Sequence, residues 1–234
     1  MQLSDNEVMK ETIITVQGSH SAWYPAERAT VSASVRTAGA EREPVFAGAV
    51  EASEAVRGLI EARYNKEAGP ITWWSSDSVR VWSERPWNNE GRQLGPVYHS
   101  AIDFTAKFRD FEVLAKWIEA VASIHSVTVG SIGWDLTEAT RTSATVEVRS
   151  RAVKDAVAKA TIYAQSIGLG TVKAIALADP GMLGDPSSPQ LPSPSMLAAS
   201  ARKFSMDVSG EPSLALKPEE IVVASVVDAR FIAS

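Results

Sequence analysis

The chain has 234 residues and no cysteine, and that one absence removes disulfides, thiolate metal sites, thiol nucleophiles and an acylated lipoprotein-type cysteine together. Histidine is nearly as scarce. His20, His99 and His125 lie in separate segments, with no second ligand three or four residues away along a helix, so no metal site and no cofactor are expected. No serine stands in a Gly-x-Ser-x-Gly arrangement, and the pair Gly168 and Gly170 follows a helical pattern instead of opening one, the wrong order for a phosphate cradle. No catalytic residue is therefore nominated. No segment approaches the roughly 20 continuous apolar residues of a membrane-spanning helix. The first dozen residues carry Asp5, Glu7, Lys10 and Glu11 in place of the apolar centre of a signal peptide. The location expected of the chain as it stands is cytoplasmic, or exported if a leader has been removed. Positive charge is also in deficit. With 23 Lys and Arg against 28 Asp and Glu the formal charge is -5, which argues against a general grip on nucleic acid or on an anionic membrane.

What is present describes an ordinary globular protein: 45% hydrophobic and 22% charged residues, in a chain long enough to bury a core unaided. Strand-period alternation runs over residues 12–17, and Gly18 to Ala26 is read as a break. It resumes over 27–37, where Ala29, Val31, Ala33 and Val35 share one face. The period then changes. Val45, Ala49, Ala52, Val56, Leu59 and Ile60 recur at three and four and predict a helix over 44–64. A strand over 71–83, a turn-rich tip over 84–96 and a strand over 97–109 read as one long hairpin. Asp110 is placed to cap a helix over 111–124, and a strand over 127–136 follows. A third helix is expected over 144–167, with a face of small residues and an end at Gly168. Strands over 172–178 and 220–232 complete the order, the last expected in the same sheet. The fold class is α+β: a mainly antiparallel sheet with three helices packed on one side, a long projecting hairpin and a Pro-rich loop. The expected organisation is a tail over 1–11, then a single domain over 12–234 with a candidate internal duplication (12–83 and 97–178) and a mobile loop over 179–204.

One feature resists a purely structural account. Trp73, Trp74, Trp82 and Trp87 cluster in and beside the hairpin. On an unbroken strand, Trp73 shares a face with Val79 and Val81, while Trp74 and Trp82 fall on the other with Arg80. Both faces cannot be the same core. Either a second layer covers the rings, or they serve as contact anchors, for which Trp and Arg are favoured. Trp74, Trp82, Trp87 and Arg80 are the candidate interface residues, and the candidate partners are further copies of the chain or another protein. Carbohydrate stacking on the rings is the weaker option. Glu41, Glu43, Glu51 and Glu54 offer carboxylates for acid/base work, but such residues on a helix are more commonly a wet face.

Three stretches, in order, resemble the SIMPL-domain family. Ile13 to Gly18 followed by Pro25 to Val31 is similar to its first two strands. Arg151 to Ala156 through Lys159, Ala160 and Ala164 to Gly170 is similar to its alanine- and lysine-bearing helix with a terminal Leu-Gly. Leu216 to Val226 is similar to its last strand. Glu219 stands where the family usually turns on glycine, and the first dozen residues do not read as the exported leader usual in the family. The resemblance implies links to stress defence, envelope assemblies or kinase-associated signalling, and supplies no shared catalytic residues. The function expected is a non-catalytic self-assembling or protein-binding module, with a stress- or envelope-related role among the expectations. The alternative is a carboxylate-dependent hydrolase or a carbohydrate-binding protein using the Trp cluster.

Overall fold

The computed structural model describes residues 11–183 and 214–234. The element order is β1 (Thr12–Tyr24), β2 (Arg28–Gly39), α1 (Arg42–Glu61), β3 (Ile71–Ser76), β4 (Arg80–Glu84), β5 (Val97–Phe108), α2 (Phe111–Ala122), β6 (Val127–Asp135), α3 (Glu138–Ser166), β7 (Val172–Ala178) and β8 (Ile221–Ala233). The class is α+β, with three helices and antiparallel pairing in every register resolved. The chain forms two compact units. The final strand does not join the sheet of β2 and β5. It sits between β1 and β7 in a sheet of three, while β3, β5, β2 and β6 lie side by side, in that order, in a sheet of five to which β4 adds through β5. Sequence periodicity fixes which face of a strand is buried but not which strand it pairs with, so this division was out of its reach.

The larger unit runs β2-α1-β3-β4-β5-α2-β6. With β3 and β4 as successive halves of one edge, this is the split β-α-β arrangement, in which β5 separates β2 from β3. Its core lies on one face only. Ala29, Val31, Ala33 and Val35 of β2 and Ile102, Phe104, Ala106 and Phe108 of β5 meet Ala49, Val56 and Ile60 of α1 and Leu114, Trp117 and Val121 of α2. The side chain of Asp110 accepts from the backbone N–H of Glu112 and Val113 at 3.0 Å each, the expected cap of α2. The Trp117 ring meets Phe108 at 5.3 Å between centroids, tilted by 54°.

In the smaller unit α3 covers β1 and β8. The helix buries Ala144, Val148, Ala152, Ala156, Ala160 and Ala164, every fourth residue and all but one alanine. The small-residue face is thus narrower than expected, since Val146, Val157, Tyr163 and Ile167 are exposed. Gly18 does not break the first strand. β1 runs on to Tyr24, and a Cβ at Gly18 would lie 2.1 Å from the Ala152 carbonyl oxygen and 2.7 Å from Ala156 Cβ. Glycine here is the condition for strand and helix to touch. A clasp follows at once: Asp155 accepts from the Ser19 N–H at 2.8 Å, and Lys159 bonds Asp155 at 2.7 Å and the Gln17 carbonyl at 2.9 Å. Most of the Pro-rich loop lies outside the described residues. At its start the Gly181 N–H donates to Asp228 at 2.6 Å.

Candidate interaction surface

The face of the five-stranded sheet turned away from α1 and α2 is built from the alternate residues that the core leaves free. Along β5 its rows are set by Lys107, Thr105, Asp103, Ala101, His99 and Val97, and the edge strands place Trp73 beside Lys107, Ser75 beside Thr105, Arg80 beside Ala101, Trp82 beside His99 and Glu84 beside Val97. Strand β2 contributes Ser32, Ser34 and Arg36 from the other side.

The edge is not one strand. Asp77 to Val79 leave the ladder between β3 and β4. Trp73 and Trp82 are nine residues apart, yet their partners Lys107 and His99 are eight apart on β5. The additional residue reverses the alternation. Trp82 and Arg80 therefore share their face with Trp73, and Trp74 lies opposite Ala106 with its ring packed partly against the core. An unbroken strand would pair Trp74 with Trp82; the additional residue puts Trp73 on that face instead. Trp87 stands in the tip between β4 and β5, bridged to Gln93 and 66% exposed.

Trp73 and Trp82 are each 45% exposed, and each is held in place. Lys107 Nζ lies 5.4 Å from the centroid of the Trp73 ring, a cation–π contact. The Trp82 ring stacks on His99 at 5.3 Å and 15°, and His99 Nε2 lies 3.2 Å from Glu84 Oε1. Between the two rings Asp103 is the charged centre of the face. It accepts from the Ser34 hydroxyl and from Arg80, with Arg36 at 3.9 Å. Although Ser34 and Asp103 are a hydroxyl and a carboxylate in contact, their further partners are guanidiniums and no imidazole. The set makes a charge knot in place of a nucleophile, a base and its orienting group.

The other histidines stay apart, His20 in β1 and His125 in the turn before β6. Among the described residues no three side chains of metal-ligating type cluster, and no helix is long and apolar enough to cross a membrane. An open groove of about 890 Å³ lies where β2 meets α1, lined by Arg36, Gly39, Glu41, Glu51 and His125 among others. Its carboxylates line an open concavity and the helix surface beside it, and the Trp face does not include them.

Fold and surface together define an α+β protein whose most distinctive feature is an aromatic and charged sheet face. The chain belongs to the SIMPL family, described as a protein family of unknown function (DUF541), whose model matches residues 14–231. No curated protein matches the chain.

Proposed function

We propose that this chain is a non-catalytic module that contacts another protein chain, copies of itself included, through the face bearing Trp73, Trp82 and Arg80, with Trp87 at its rim. The observation that carries this reading is the pair of half-exposed indole rings, each fixed by a neighbour on the same open sheet face. A solvated face alone does not call for them, because an antiparallel sheet is wetted well enough by Ser, Thr and charged residues. Ordered Trp beside Arg is what a contact anchor needs, since little side-chain freedom is left to lose on binding. The hydrolase alternative needs a carboxylate free to carry protons, whereas Asp103 is engaged by three partners and Glu84, the other carboxylate in these rows, lies 3.2 Å from His99 Nε2.

Replacing Trp73 and Trp82 together by Ser tests the reading, with Trp74→Ser as the contrast. The double variant is expected to lose association while melting within a few degrees of the parent. Trp74→Ser is expected to lower the melting temperature, because that ring covers core. Light scattering reads the first effect and calorimetry the second. For a partner other than the chain itself, a photo-cross-linker in place of Trp82 or Trp87 in the producing cells should give a discrete protein adduct. A parent that neither associates nor cross-links would refute the proposal.

A further inference from the structure

We infer that the occupant of this face is a second copy of the chain, docked face to face about a two-fold axis that crosses β5 near Ile102. The inference rests on the reading of the face as a protein contact and adds the partner and the geometry. Its basis is the order of charges along the rows. Lys107 marks one end, and Glu84, beside Val97, marks the other. Just to one side of the middle lies Asp103. Just to the other lie Arg80 and Arg36, both opposite Ala101. The sign therefore reverses on reflection through the middle of the strand.

A two-fold axis in the contact plane, running across the strands, inverts strand direction and sets each strand over its own copy. Lys107 then meets Glu84 of the partner subunit. Asp103 meets Arg80 and Arg36 of the partner subunit, which joins the two charge knots into one network. Every contact occurs twice. An axis parallel to the strands would set each row on itself, Lys107 on Lys107 and Asp103 on Asp103, and like charges opposed across an interface are strongly disfavoured. Shape agrees with charge. The row of Trp82 comes to lie over that of Thr105 and Ser75, whose short side chains leave room for an indole. The ten residue steps from Val97 to Lys107 span about 34 Å, and four strands side by side span about 19 Å. The face thus offers about 650 Å² per copy, or about 1,300 Å² in all, within the range of specific interfaces.

The test is charge reversal and mixing in the full chain, read by sedimentation equilibrium with calorimetry as the check on folding. Lys107→Glu and Glu84→Lys should each weaken self-association by about tenfold or more, since each opposes like charges at two places. An equimolar mixture of the two variants should recover the parent's affinity to within about threefold, because each contact again pairs opposite signs. A parent that stays monomeric to about 100 µM overturns the inference and leaves a different protein partner to the cross-linking test. Association that survives both reversals, yet is lost in the Trp73→Ser, Trp82→Ser chain, overturns the two-fold arrangement while keeping the face. Reversals that weaken association without recovery on mixing overturn it as well.

Discussion

At Gly18 the backbone of β1 touches the backbone of α3, and the neighbour nearest a new Cβ is the Ala152 carbonyl oxygen at 2.1 Å, which cannot swing aside as a flexible side chain would. Gly18→Ala must therefore push strand and helix apart. The expected cost is about 2–3 kcal/mol, at the upper end for overpacking, read from the denaturant midpoint at unchanged slope; a cost under about 0.5 kcal/mol would show that the two elements separate freely. Sequence reading took this glycine for a strand break because glycine signals turns and close approaches alike, and only the helix, more than a hundred residues away in sequence, distinguishes them. One turn further along α3, Asp155 has a carboxyl held below its ordinary value, first by the bond from Lys159, then by the Ser19 N–H and against a smaller desolvation effect. A carboxyl lowered in the folded state contributes stability above its unfolded pKa of about 3.9 and loses it as pH falls through the folded value. Stability of the parent should thus decline from about pH 4 downward more steeply than that of Asp155→Ala. Parallel acid limbs in the two unfolding profiles would show that the clasp makes no such contribution.

Elements were legible where one face alone decides the pattern. The alternation of β2 and the three-and-four spacing of α1 describe faces that do enter one core, and Asp110 capping α2 was visible because the cap is local chemistry. Asp110→Ala should cost about 0.5–2 kcal/mol, leaving two N–H groups of the first turn without their acceptor, whereas Asp110→Ser should recover most of it; equal losses in both, by thermal melting, would count against the cap. Two boundaries were not legible. Helix α3 begins at Glu138, six residues before the expected start, because its first turns carry charged and hydroxyl side chains and show no apolar period. The break at Asp77 to Val79 was hidden for a different reason. Serines and valines on both sides continue a plausible strand, and only pairing with β5 reveals the residue that reverses the alternation. The candidate surface inherited that error: Arg80 and Trp82 were placed together and on the open face, while Trp74 was exchanged for Trp73.

For the whole molecule the net charge of -5 and the charges on the contact face act in opposite directions. Two copies carrying -5 each, with charges on the order of 30 Å apart, repel by about 3.5 kcal/mol in salt-free water. Salt removes this quickly. With a Debye length of about 30 Å at 0.01 M the repulsion is still about 1.3 kcal/mol, and at 0.1 M, where the length is about 10 Å, it is about 0.2 kcal/mol. Ion pairs in contact across the face respond later, because the Debye length stays above their separation of about 4 Å until the salt nears 1 M, where it is about 3 Å. Copy-on-copy docking through the Lys107, Asp103, Arg80 and Glu84 rows should therefore tighten about sixfold between 0.01 and 0.1 M salt and weaken again toward 1 M. A contact between apolar surfaces alone would tighten and then hold or strengthen further, since salt does not oppose burial of apolar area. A titration of the dissociation constant against sodium chloride separates the two. A curve with its tightest point near 0.1 M accords with the charged two-fold face, whereas a constant that keeps falling to 1 M would assign the association to rings such as Trp82 and Trp87 and remove the charge pairs from it.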